Sequence, residues 1–168
     1  MPPPGPGTRR DSDDRARLDA AGRRAGHGER GGGRRPFGAL VVRDGEVVAA
    51  GTNRVIAALD PTAHAEVRAL RAACAELKSV SLERCWLIVS CEPCPMCLTA
   101  ALWARVERVV YGADRHDAAA AGFDDAALHE LFARRDDVEW PLSVERLDLP
   151  HSTEPFDAWR AAPDREEY

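Results

Sequence analysis

Residues 84–105 read RCWLIVSCEPCPMCLTAALWAR, in which a strand pattern passes directly into a helix pattern. The run Arg84–Ser90 is apolar and bounded by polar residues, which is typical of a strand buried on both faces of a sheet. Pro95 suits the first turn of a helix, which we expect to end near Arg105. A buried strand followed at once by a helix predicts an α/β fold.

The elements predicted on either side extend this α/β pattern. In chain order they are a helix at 12–26, strands at 39–43 and 46–50, a helix at 63–78, a strand at 106–111, a helix at 124–135, a strand near 142–147 and a helix at 155–162. Asp44-Gly45 between the first two strands is a strong hairpin signal. The order predicts a three-layer α/β/α sandwich around a mixed sheet of five strands.

Length and composition predict a single globular domain. The 168 residues are 45% hydrophobic and 30% charged, an ordinary balance for a globular protein. We expect residues 1–12 to form a disordered tail, because they carry almost no apolar side chains, and residues 13–168 to form the domain. No run approaches the roughly 18 apolar residues of a membrane span, and no secretory signal is visible. We therefore expect a cytoplasmic protein without a membrane partner.

The charge argues against a nucleic-acid partner. Lys and Arg number 23 and Asp and Glu number 28, which gives a net charge of -5. Affinity for a phosphate backbone usually comes from a basic excess. Nine of the arginines lie in residues 1–35, so the remainder of the chain is more acidic still.

The five cysteines divide into two isolated residues and a cluster. Cys74 and Cys85 lie within apolar patterns and are expected in the core. Cys91, Cys94 and Cys97 form two overlapping C-x-x-C pairs, which suit either redox chemistry or a metal. A disulfide framework is not expected without a secretory signal.

His64 and Glu66, at the start of the helix predicted at 63–78, supply partners for this cluster. Zinc prefers thiolate and imidazole ligands in a tetrahedral arrangement. Two thiolates and one neutral imidazole balance its charge and leave a fourth position for water, whose pKa the metal lowers. We therefore predict one zinc per chain with Glu66 beside it as general acid and base. A closed structural site of His64 and all three clustered cysteines is the alternative.

The order His64-x-Glu66 followed by Pro93-Cys94-x-x-Cys97 resembles the signature of the zinc-dependent base deaminases. In that signature the proline directly precedes the first thiolate. The resemblance therefore implies that His64, Cys94 and Cys97 hold the zinc, and that Glu66 is the catalytic proton carrier. It leaves Cys91 outside the ligand set.

Further segments, over about residues 36–168, resemble the bacterial guanine deaminases of the cytidine-deaminase-like fold. They are Pro36-Phe37-Gly38-Ala39, Asn53, Asp60–Glu66, Ser90–Cys97, Trp103-Ala104-Arg105, Asp117-Ala118-Ala119, Ala121–Asp125, Pro155–Arg160 and Tyr168. The resemblance implies hydrolysis of guanine at C2 to xanthine and ammonia, a step of purine catabolism. One departure is the Arg- and Gly-rich start, where the family has a well-formed apolar helix.

The same resemblance implies roles for four more residues. Asp125 would pair with the amidine edge of guanine and shuttle a second proton. Asn53 would hydrogen-bond the ring, and Phe37 would stack on the purine face. Tyr168 would close the pocket of a homodimer whose subunits exchange C-terminal segments.

Other functions remain open on the sequence alone. A related deaminase of this kind would act on guanosine, cytosine or an aminated triazine. A tRNA adenosine deaminase shares the metal motif, although the acidic domain argues against a polyanionic substrate. A zinc-stabilised module without catalytic activity is the alternative from a different class.

Overall fold

The computed structural model describes residues 16–21, 36–123, 125–134, 140–147 and 150–165. They fall into two compact units, which divide after Ala133. The elements of the first unit are α1 (residues 16–21), β1 (Gly38–Arg43), β2 (Glu46–Thr52), α2 (Val55–Ala58), α3 (Ala65–Leu77), β3 (Cys85–Cys91), α4 (Pro95–Trp103), β4 (Arg108–Ala113), α5 (Arg115–Ala120) and α6 (Ala126–Ala133). The second unit contains α7 (Glu154–Ala161). No helix in these described parts is long and apolar enough to cross a membrane.

The strands of the first unit form one mixed sheet in the order β2-β1-β3-β4. β1 runs antiparallel to β2 and β3, whereas β3 and β4 are parallel. The predicted hairpin is confirmed: Asp44 and Gly45 have φ angles of 49° and 89°, as a tight two-residue turn requires. The α/β class with a mixed sheet is therefore confirmed.

Both faces of the sheet carry apolar side chains. Val41 and Leu87 pack on one face in a cluster with the inner residues of α3 and α4. Leu40 and Ile88 point to the opposite face, where they pack with Ala21 of α1. This alternation follows from the two-residue period of a strand. Because both faces of the sheet are covered, successive residues in the middle of β1 and β3 are apolar.

The approach of α3 to the sheet is unusually close. A Cβ atom at Gly51 of β2 would lie 2.1 Å from the carbonyl oxygen of Ala65 and 2.7 Å from the backbone nitrogen of Ala69. Only glycine fits at this contact. Gly51 therefore sets the depth at which the first turn of α3 sits against β2.

The fifth predicted strand is not confirmed. The described sheet has four strands, and residues 142–147 have no strand conformation. Leu142, Val144 and Leu147 are 66%, 83% and 72% exposed. Their alternation resembles a strand pattern, but a strand forms only where a neighbouring backbone accepts its hydrogen bonds. The predicted tail, residues 1–12, lies outside the described residues.

Candidate metal centre and active-site pocket

Two helix N-termini bring the predicted metal ligands together. His64 is the N-cap residue of α3, and Cys94 is the N-cap residue of α4. The turn before His64 is fixed by Asp60, whose Oδ1 accepts hydrogen bonds from the Thr62 nitrogen and hydroxyl at 2.8 and 2.7 Å. Cys97 lies one turn after Cys94 and therefore faces the same way. The local chain therefore directs three potential metal-ligand atoms, one imidazole nitrogen and two sulfurs, toward one point.

The donor distances fit a tetrahedral zinc ion. His64 Nδ1 lies 3.7 Å from Cys94 Sγ and 3.5 Å from Cys97 Sγ, and the three ligand atoms all lie within 4.8 Å of one another. Zinc bonds of about 2.0 Å to nitrogen and 2.3 Å to sulfur at a tetrahedral angle separate the two atoms by about 3.5 Å. The side chains are therefore already spaced to hold the metal.

The two ligand cysteines differ in proton affinity. A hydrogen bond with the Cys97 thiol lowers the pKa of Cys94 to about 4, and the same contact raises the pKa of Cys97. The pair therefore carries one thiolate readily. Because only thiolates bind zinc, metal uptake would release the proton of the other thiol.

Cys91 stands apart from this group. Its Sγ contacts the carbonyl oxygen of Asp114 at 3.5 Å, and it is not among the three clustered ligands. Burial raises the pKa of the Cys91 thiol to about 11. Because the clustered ligand atoms are those of His64, Cys94 and Cys97, the geometry favours the three-ligand set over the closed site.

Glu66 is placed for proton transfer. It lies in the first turn of α3 and is only 8% exposed, and it is the one buried charged side chain among the described residues. Burial raises the pKa of its carboxyl group. A carboxyl group with a raised pKa can both accept and return a proton near neutral pH.

A cavity of about 220 Å³ opens beside these residues. That is smaller than the roughly 300–1,000 Å³ of pockets that take drug-sized ligands, so it suits a small ring compound. The cavity is lined by Phe37, Asn53, Val55, His64, Glu66, Cys91, Glu92, Cys94, Ala118, Phe123 and Asp125. Every predicted site residue in the described chain except Cys97 therefore lines it. Tyr168 lies outside the described residues.

Asn53 and Phe37 are held in fixed orientations. Asn53 Oδ1 accepts a hydrogen bond from the Val55 nitrogen at 3.2 Å, which leaves its amide NH₂ group as the free donor. The Phe37 ring meets that of Phe123 edge to face, with centroids 4.9 Å apart and an interplanar angle of 80°. Phe123 thus supports the ring that was predicted to stack on the ligand.

An ion pair that the sequence did not predict links α5 to the loop between β3 and α4. Arg115, the first residue of α5, donates from Nε to Glu92 Oε2 at 3.0 Å and from its terminal nitrogen to Oε1 at 2.5 Å. Its backbone nitrogen also donates to Glu92 Oε2. This contact lowers the pKa of Glu92. The ion pair holds α5 against the segment between Cys91 and Cys94. No residue spacing in the sequence predicts this contact.

Comparison with known proteins gives a family and a group of similar chains. The cytidine and deoxycytidylate deaminase zinc-binding region matches residues 11–113. The chain is 45% identical to the guanine deaminase of Bacillus subtilis (strain 168) over 133 residues, 79% of this chain and 85% of that protein. The X-ray structure of guanine deaminase from B. subtilis aligns with a TM-score of 0.78 and 40% identity, covering 96% of this chain and 99% of that one.

Two other similar proteins match a smaller part of this chain. NE0047 in complex with 2,6-diaminopurine aligns with a TM-score of 0.60 and 36% identity, over 72% of this chain and 70% of that one. The tRNA-specific adenosine deaminase of Aquifex aeolicus (strain VF5) is 44% identical over 78 residues, 46% of this chain and 52% of that protein. The similarity to guanine deaminase therefore extends further along the chain.

Proposed function

The chain belongs to the zinc-binding cytidine and deoxycytidylate deaminase family as a homologue of guanine deaminase, and we propose that it hydrolyses guanine to xanthine and ammonia. The observation that supports guanine as the substrate is the extent of the match, which covers 96% of this chain and 99% of the B. subtilis guanine deaminase chain. The tRNA-specific relative matches less than half of this chain.

The chemistry at the metal centre is assigned to four residues. One zinc ion per chain, held by His64, Cys94 and Cys97, would supply a water molecule acidified toward neutrality. Glu66 accepts a proton from the attacking water and delivers it to the departing amine of guanine. Its buried carboxyl group, whose pKa is raised by desolvation, suits both steps.

Substrate recognition is assigned to the walls of the cavity. Asp125 accepts hydrogen bonds from the ring N–H and exocyclic amine of guanine. It also shuttles the second proton of the attacking water, because the departing amine needs only one proton to leave as ammonia and the other ends on the ring. The free NH₂ group of Asn53 donates to an acceptor of the ring. Phe37, braced by Phe123, stacks on the purine face.

We also propose a homodimer that exchanges C-terminal segments, with Tyr168 closing the partner's pocket. Five large apolar side chains of the second unit support this proposal, because they are exposed to solvent when the chain is considered without a partner. They are Leu142, Val144, Leu147, Phe156 and Trp159. Leu102 and Trp103 of α4 are also 70% and 69% exposed. Clustered apolar side chains at a surface commonly mark a subunit contact.

The remaining proposals concern architecture and setting. The two apolar clusters on opposite sheet faces of the first unit support a three-layer α/β/α arrangement there. We propose that the deaminase domain extends over residues 13–168 and includes both compact units. All five cysteines are free, which supports a reducing cytoplasmic compartment. A role in purine catabolism follows from the proposed conversion of guanine.

The zinc-loaded protein should be assayed for ammonia release from guanine, guanosine, adenine, cytosine and tRNA. Guanine should be the best substrate in this panel. Preference for guanosine would move the assignment to the nucleoside, and release from tRNA alone would overturn it. A full zinc content without release from any substrate would indicate a structural zinc module.

A further inference from the structure

A histidine that the mechanism does not use lies directly against Asp125. Asp125 precedes α6, and its backbone carbonyl accepts hydrogen bonds from the nitrogens of Leu128 and His129 at 3.0 and 3.2 Å. The His129 side chain therefore lies one turn along the helix, on the same face as Asp125. Its Nε2 is 3.8 Å from Asp125 Oδ2, and the side chain is only 10% exposed.

Both members of this pair hold a buried polar atom without a hydrogen-bond partner. They are Asp125 Oδ1 and His129 Nε2. A buried polar atom left unpaired is costly, and each such atom in a native structure calls for a reason. Asp125 lines the cavity, so a ligand there is a natural partner for Oδ1. For His129 Nε2, the neighbouring acceptor is the other carboxylate oxygen, Asp125 Oδ2.

The other carboxylate near His129 does not compete for it. The charge of His129 acts on Glu92, but both Glu92 oxygens are engaged by Arg115. Of these two carboxylates, Asp125 is therefore the one that remains available to His129. The gap of 3.8 Å is about 1 Å longer than a hydrogen bond, and such contacts in active sites commonly shorten when substrate binds.

We propose that His129 is a positioning residue for Asp125, whose Oδ2 accepts a hydrogen bond from His129 Nε2–H so that Oδ1 faces the amidine edge of the bound base. This inference rests on the proposed guanine deamination. It gives each oxygen of Asp125 a separate partner, one in the protein and one in the substrate. His129 itself is not among the residues that line the cavity or form the metal group.

The first test needs no substrate. In the full-length, zinc-loaded protein, ¹⁵N NMR of the histidine rings identifies the tautomer of neutral His129. The inference predicts the Nε2–H tautomer, and Asp125→Asn should change the ring signals. A bare Nε2 with the proton on Nδ1 would overturn it. Failure of the protein to deaminate guanine would not affect this result, so the two ideas fail separately.

The second test is a double-mutant cycle on guanine turnover. His129→Phe keeps an aromatic ring but removes the donor, and should lower kcat/KM by about 10- to 100-fold, as loss of a supporting contact does. His129→Gln, which retains an N–H donor, should recover part of the loss. In the Asp125→Asn background His129→Phe should have little further effect, because the residue it positions is already altered.

The control is His116→Phe, on the exposed surface of α5, which should leave kcat/KM near wild type. Equal losses from His129→Phe and His129→Gln, or full additivity with Asp125→Asn, would show that His129 serves packing alone. Zinc content and thermal unfolding of each variant separate a misfolded protein from a misplaced carboxylate.

Discussion

Gly51→Ala tests whether the depth of α3 in the fold governs the metal centre. The contact is between backbones, because the added Cβ would lie 2.1 Å from the Ala65 carbonyl oxygen and 2.7 Å from the Ala69 nitrogen. Neither atom can turn aside as a flexible side chain can. The helix itself must therefore move away from β2.

The size of the movement follows from the distances. Real Cβ contacts are essentially never shorter than 3.0 Å, so the first turn of α3 must retreat by about 1 Å. Overpacking of this kind costs about 1–3 kcal/mol of stability. The same turn carries His64 and Glu66, and a displacement of about 1 Å in an active site can lower the rate by about 100-fold.

The assay combines denaturant unfolding, zinc content and guanine turnover. Gly112→Ala in β4 is a matched control, because its nearest contact, with the Ser90 carbonyl oxygen, is 3.2 Å and needs only a few tenths of an ångström. We expect Gly51→Ala to lose both stability and kcat, and Gly112→Ala to lose much less of each. A Gly51→Ala protein with wild-type stability and turnover would refute the argument that this contact sets the position of α3.

Three further predictions concern the metal, the base and the tail. Cys94→Ala should lose zinc, whereas Cys91→Ala should keep it because its thiol lies outside the ligand group; equal zinc loss by metal analysis would favour the closed four-ligand site. Asp125→Ala should impair guanine turnover more than turnover of bases without an amidine edge, by a factor that corresponds to about 1–3 kcal/mol; an unchanged guanine rate would remove Asp125 from recognition. Deletion of residues 165–168 should lower guanine turnover while zinc content and folding stay intact, and a fully active truncated protein would exclude the proposed closure by Tyr168.

Local patterns in the sequence were enough to select the three side chains that the structure groups together, His64, Cys94 and Cys97. Cys94 and Cys97 are three residues apart at a helix N-terminus, and His64 and Glu66 share the first turn of another helix. Such spacings fix direction within one element, so a single sequence suffices to read them. The hairpin at Asp44-Gly45 was predictable for the same reason.

Contacts between distant elements were not predictable in this way. Glu92 and Arg115 are 23 residues apart in the sequence. Phe37 and Phe123 are in contact although they are still further apart in the sequence. Their pairing depends on how β3, α5 and the following loop are packed, which no local spacing encodes. The alternation at 142–147 misled for a related reason, since a strand pattern does not specify a neighbour.

The most direct test of the proposed function is the conversion of guanine by zinc-loaded wild-type protein and by Glu66→Gln at equal zinc content. Xanthine and ammonia should form together with the wild-type protein. The glutamine variant should keep its zinc but turn over about 10²- to 10⁴-fold more slowly, because an amide cannot take the proton that the carboxylate carries. Xanthine formation at a wild-type rate by the zinc-loaded Glu66→Gln variant would contradict the mechanism, and no xanthine from the wild-type protein would contradict the function.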